Sequence, residues 1–241
     1  MTKKSKNNQT EVFQYEASKF AGIWLKLMSN NKLYESHLLC LTFIEKYKNY
    51  LEKYLQKNQE AEYYCLRNLL IFFKGLQETS LLLELTKNQN WYKDNTLVER
   101  VWSLKCDSKE RLEFVSPSIS GLIIENALKK IYQFEEQFRQ RFGDGLYLSP
   151  GLVIDKYICN ICHQDTRTCI HIAGKLYKRK ICEYEPIGIQ VNHLAIVKNP
   201  KDMRCRLWSW NMKKNSQGTL TIENCLFSTT FAVDDFLQQE K

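Results

Sequence analysis

The run Cys159-Asn160-Ile161-Cys162 is followed six residues later by Cys169-Ile170-His171 and, eleven positions after the histidine, by Cys182. Two thiols in C-x2-C spacing can close on one tetrahedral ion, and a second pair from a neighbouring loop completes its shell. Sulfur and imidazole donors favour zinc over magnesium or calcium, and four protein ligands leave no position open for catalysis. The expected shell is Cys159, Cys162, Cys169 and His171, with Cys182 in reserve and His163 a weaker candidate. Two other readings compete with it: free buried thiols, and a redox C-x2-C pair. The redox pair would need a strand-to-helix setting of the thioredoxin kind, which this stretch lacks.

The same region carries the charge. From Asp155 to Lys214 twelve basic residues face five acidic ones, a net +7, against +8 for the whole chain. The sharpest basic cluster is Lys178-Arg179-Lys180, and Arg204 and Arg206 flank a second one that ends in Trp208 and Trp210. Such a surface either neutralises phosphates, with Tyr177, Trp208 or Trp210 against bases, or simply keeps the chain in solution. Tryptophan and arginine together also suit the anchor positions of a protein interface.

Signatures of catalysis fail one by one. No G-x-x-x-x-G-K-[ST] cradle, G-x-S-x-G elbow or H-E-x-x-H helix is present. Arg167 and His171 are too close for the R-x4-6-H arrangement of helical HEPN-type ribonucleases. Asp234-Asp235 reads as a solvated turn rather than a metal clamp. His37 belongs to a helix boundary and His193 to a strand, each without a catalytic partner in view. The expectation is that the chain is not an enzyme.

The elements that must hold these residues follow from the remaining pattern. With 241 residues, 44% hydrophobic, 26% charged, nine glycines and four prolines, most of the chain can be ordered as one large domain or two modest ones. Residues 1–10 are expected to be a disordered tail. Apolar residues at three- and four-residue steps predict helices near 11–29, 33–57 and 60–87, within a helical domain spanning 11–117. Tyr47, Tyr50, Tyr54, Tyr63 and Tyr64 lie at helical spacing and are read as packing residues rather than as a platform for bases.

Residues 88–117 read as a connector with one short helix or strand. Ser118 is expected to cap a helix that Gly143 ends. After Pro150, alternation in short runs predicts strands at 152–158, 187–197 and 219–233. The fold class is α+β: an N-terminal helical bundle, then a helix with a small β-rich, zinc-stapled module over 118–241. No run of about 20 apolar residues occurs and the N-terminus lacks an apolar leader, so a cytoplasmic protein with no membrane contact is expected.

The segment from Cys159 through Asp165, Arg167, Cys169, His171, Gly174, Tyr177 and Cys182 to Val197-Lys198-Asn199-Pro200 resembles a zinc-type insert of some phage prohead-protease-like proteins. It is also similar to uncharacterised bacterial proteins that share Phe142-Gly143, Ser149-Pro150, Arg204, Arg206, Trp208 and Trp210; the likeness spans about residues 142–210. Those proteases have a herpesvirus-assemblin-like fold and use serine and histidine with acidic support. Where they typically read Glu-Val-Ser-Leu-Val before the proline, this chain reads His193-Leu194-Ala195-Ile196-Val197. The acidic position is a histidine and no serine nucleophile is paired with an upstream histidine, so the resemblance implies the module without the protease. With it comes the expectation of a non-catalytic subunit of a bacterial complex, linked to phage defence or mobile elements, with protein partners; binding of DNA or RNA is the alternative.

Overall fold

The computed structural model describes residues 8–119, 121–177, 179–214, 219–222 and 229–232. The fold is α+β: a helical bundle precedes a small sheet region. The helices are α1 (Asn8–Ser29), α2 (Leu33–Gln56), α3 (Glu60–Leu85), α4 (Asn95–Val115) and α5 (Leu122–Phe142). Two 14-residue strands follow, β1 (Leu146–Cys159) and β4 (Tyr184–Val197). Between them lies the hairpin of β2 (Leu176–Tyr177) and β3 (Lys180–Ile181). Short strands β5 (Arg206–Leu207), β6 (Met212–Lys214), β7 (Thr219–Ile222) and β8 (Thr229–Ala232) complete the order.

The first three helices fall within two residues of their expected bounds at most ends, because their apolar stripes are unbroken. The first departs at its start: Asn8, Gln9 and Thr10 are already helical, where a tail was expected. Residues 1–7 lie outside the described residues. Phe43 and Phe73 stack at 3.9 Å, Phe20 meets Phe43 edge-on at 5.3 Å, and Trp24 donates its indole N–H to Ser80 Oγ at 2.9 Å. Of the five tyrosines, Tyr47, Tyr54 and Tyr63 are buried in this core.

The expected connector is largely a helix. In α4, Asp94 caps the first turn by accepting from Leu97 N at 3.1 Å. Val98, Val101, Trp102, Lys105, Ser108, Leu112 and Val115 form its buried face, a helical stripe. Lys105 and Ser108 hide the stripe from a hydropathy reading. At Gly75 a Cβ would stand 2.9 Å from Leu112 Cγ, so a glycine lets α3 and α4 approach this closely. Helix α5 begins at Leu122, after Gly121, and Ser118 sits in the turn before it. Gly143, with φ +71°, follows its last residue as expected.

The chain divides into two compact units. One joins Met1–Arg141 with Leu152–Val191, so the boundary expected near residue 117 falls inside a unit. Within this unit Ile181 packs against the helical core. The other unit joins Phe142–Gly151 with Asn192–Lys241 and has its own small core of Leu148 and Leu207, with Leu146, Leu194, Ile196 and Met212 around them. In the sheet β4-β1-β5, Leu146 pairs with Leu207 and Tyr147 with Arg206. A separate antiparallel meander has the order β6-β7-β8, with Met212 opposite Ile222 and Thr219 opposite Ala232.

Candidate metal centre

The end of β1 and the 24 residues that lead to β4 are wound around the cysteines. Cys159 closes β1, and its N–H reaches Gln164 O at 3.0 Å. The chain then turns back on itself, with His163 N to Cys159 O at 2.8 Å and His163 at φ +56°. This turn aims the amide of Ile161 at Cys159 Sγ, 3.4 Å away. A second turn forms around Asp165, whose carbonyl accepts from Thr168 N and Cys169 N, each at 3.0 Å. The His171 amide donates to Cys169 Sγ at 3.2 Å. Each turn therefore offers a sulfur already bound to backbone N–H, the environment a thiolate requires.

Cys159, Cys162, Cys169 and His171 bring one donor atom each to within 4.8 Å of all the others. Cys162 Sγ and Cys169 Sγ are 3.4 Å apart, and His171 Nδ1 lies 3.3 Å from Cys169 Sγ and 3.8 Å from Cys159 Sγ. A tetrahedral ion with metal–sulfur bonds of about 2.3 Å requires edges of roughly 3.5–3.8 Å. The four residues expected from the spacing thus form a compact site that fits a soft divalent cation. Cys182, fully buried, stands 3.7 Å from Cys159 Sγ. His163 is exposed and lies outside the cluster.

Burial raises the Cys159 thiol, but the amides of Cys162 and Ile161 and the neighbouring thiols of Cys169 and Cys182 outweigh it and bring it down to about 6. Burial and the Cys159 sulfur push Cys169 and Cys182 up to about 11. One thiolate forms readily, and its neighbours then keep their protons until a cation displaces them.

Side chains that the spacing could not reveal hold the loop. Asn160 donates to Ile181 O at 2.9 Å and accepts from Glu183 N at 3.0 Å, which fixes Cys182 beside the first turn. Tyr177 accepts from Ile172 N at 3.1 Å and sets its ring edge-on to His171 at 4.6 Å. Tyr64 of α3 donates to Gly174 O at 3.1 Å and accepts from Leu176 N at 2.8 Å. The Tyr64 bonds cross 110 residues or more of sequence, a distance at which no spacing rule operates.

The basic and aromatic candidates separate by burial. Arg179 and Lys180 are exposed at the β2–β3 hairpin, while Lys178 lies outside the described residues. Arg204 pairs with Asp202 at 3.0 Å. Arg206, expected to face a partner, is instead buried: its guanidinium donates to Phe142 O, Gly143 O and Asp144 O at 2.8–3.0 Å. At Gly145, φ +86°, a Cβ would come within 2.4 Å of that guanidinium. Trp208 is also buried and stacks on the half-buried Trp210 at 5.0 Å. Asp234-Asp235 lies outside the described residues.

No family model, curated protein or solved structure matches the chain. The site is read from its own chemistry. No described helix is long and apolar enough to cross a membrane.

Proposed function

We propose that this chain is a non-catalytic, zinc-binding subunit of a multiprotein complex, and that the ion staples a β-ribbon that docks on a protein partner. One observation carries the reading: the candidate metal centre joins two long strands whose apolar side chains face solvent. On β1, Val153 and Tyr157 are exposed; on β4, Ile187, Ile189 and Val191 are exposed; and Ile170, in the metal loop, is 90% exposed. Two-stranded ribbons are marginal in water, and an apolar edge strand is a template for pairing. Among the described residues β4 is an edge strand of its sheet. A partner that adds a strand there would satisfy its backbone and cover its isoleucines.

Cysteine and histidine softness supports zinc as the ion, and a closed four-ligand shell supports a structural role. The likeness to phage prohead-protease-like proteins supports a bacterial, cytoplasmic setting in phage defence or mobile-element biology. The test is tagged purification from the native host at low salt, wild type beside an Ile187→Lys, Ile189→Lys variant. A stoichiometric protein that leaves with the double substitution, while zinc content stays at one per chain, supports the reading. A monodisperse wild type that retains no protein overturns it.

The net +7 around the site favours a second reading, binding of DNA or RNA through Arg179, Lys180 and their basic neighbours. Its mark would be affinity falling by orders of magnitude over a few-fold rise in salt. Salt-insensitive binding, or none at low salt, removes it.

A further inference from the structure

Beside the four clustered donors stands a fifth candidate, a cysteine sulfur. The fifth, Cys182, is not loose: its amide donates to Lys175 O at 2.8 Å, its carbonyl accepts from Gly174 N at 2.8 Å, and the Asn160 side chain grips the residues on either side. Its sulfur is 3.7 Å from Cys159 Sγ, the edge length of a thiolate tetrahedron that shares Cys159. A buried cysteine packed as a spare apolar residue would have no need of that placement.

His171 is the donor best suited to leave. It is the one neutral ligand, and a soft cation holds imidazole less firmly than thiolate. It also sits between Ile170 and Ile172, both exposed, whereas Cys159 and Cys182 are fully buried.

Resting on the metal reading above, we infer that Cys182 is a reserve ligand: when His171 Nδ1 leaves the ion, Cys182 takes its place and converts a shell of three thiolates and one imidazole into a shell of four thiolates. The ion–nitrogen bond breaks and an ion–sulfur bond forms. The Cys182 proton goes to solvent, and the shell gains one negative charge. The released His171 lets the loop carrying Ile170 and Ile172 move without loss of the ion, so docking at that loop and ligand exchange are coupled.

The experiment uses the full chain loaded with cobalt(II) or zinc(II), as wild type, His171→Ala, Cys182→Ser and the double variant. With His171→Ala, one cobalt per chain is retained and the thiolate-to-cobalt charge-transfer band rises by about one third, three thiolates becoming four. The double variant loses far more affinity than either single one. An unchanged or weaker band in His171→Ala, or a double variant that binds as tightly as His171→Ala, overturns the inference. If His171→Ala does not fold, Cys182→Ser carries the test, because loss of the reserve thiol should speed zinc transfer to a chelator by about tenfold. An unchanged transfer rate overturns it. Failure of wild type to bind cobalt or zinc is a separate result, which would sink the metal reading itself.

Discussion

Lys105 Nζ lies 2.7 Å from Glu135 Oε1, with the lysine side chain wholly out of solvent. This pair bridges α4 and α5, and the ammonium also sits 4.2 Å from the Trp102 ring centroid. Removing one partner leaves the other charge buried, so Glu135→Ala should cost about 3–5 kcal/mol. Lys105→Met, which keeps the packing and leaves Glu135 paired with Lys109 at 3.5 Å, should cost less than Lys105→Ala. Urea unfolding of the full chain, followed by helical circular dichroism, checks both.

The same carboxylate sets part of the acid sensitivity. Burial raises Glu135, but the Lys105 hydrogen bond and charge, aided by Lys109, outweigh it and hold the carboxyl below its usual 4.5. A depressed folded value means stability that is present above pH 4.5 and lost as pH falls through the folded value. Glu78 acts in the opposite sense: burial raises it despite Arg111 at 2.9 Å and Lys74 at 3.6 Å. Glu135→Gln should flatten the loss of stability on acidification and Glu78→Gln should steepen it, as read from melting temperature against pH.

Metal removal should act locally. Structural zinc supplies on the order of 10 kcal/mol to modules of this kind. The double substitution Cys159→Ser, Cys162→Ser, which leaves three donors for four places, should therefore abolish zinc retention and raise hydrogen exchange across residues 157–184. The amides of α2 and α3 should stay protected, since their aromatic core does not depend on the ion. Wild-type protein that contains no zinc and tolerates strong chelators would contradict the assignment.

Tyr64 should report on the same segment from the helical side. Tyr64→Phe removes the bonds to Gly174 O and Leu176 N and should weaken the metal loop by about 1 kcal/mol. The checks are faster exchange at Leu176 and easier zinc loss, with the helical content unchanged.

Arg206 is predicted to be structural. Arg206→Ala removes the donor that ties the carbonyls of Phe142, Gly143 and Asp144 together and should cost about 2–3 kcal/mol. Arg206→Lys should not restore it, because an ammonium cannot reproduce the planar fork. Thermal unfolding distinguishes this from an exposed partner-binding arginine, whose loss would leave stability within about 0.5 kcal/mol of wild type.

What the sequence determined by itself was local. The stripes of α1, α2 and α3 were legible because one face of each helix is apolar throughout, and the four donors were legible because two tight turns fix ligand spacing within 13 residues. Tertiary structure decided what depends on distant partners. α4 was hidden because Lys105 looks solvated until Glu135, 30 residues away, neutralises it. Arg206 and Trp208 looked like surface anchors until the carbonyls after α5 and the Trp210 ring enclosed them. Cys182 could be counted but not placed, because its position beside Cys159 is set by an asparagine 22 residues earlier. Short-range geometry is encoded in spacing, whereas the fate of a charge or a thiol depends on which groups the fold brings to it.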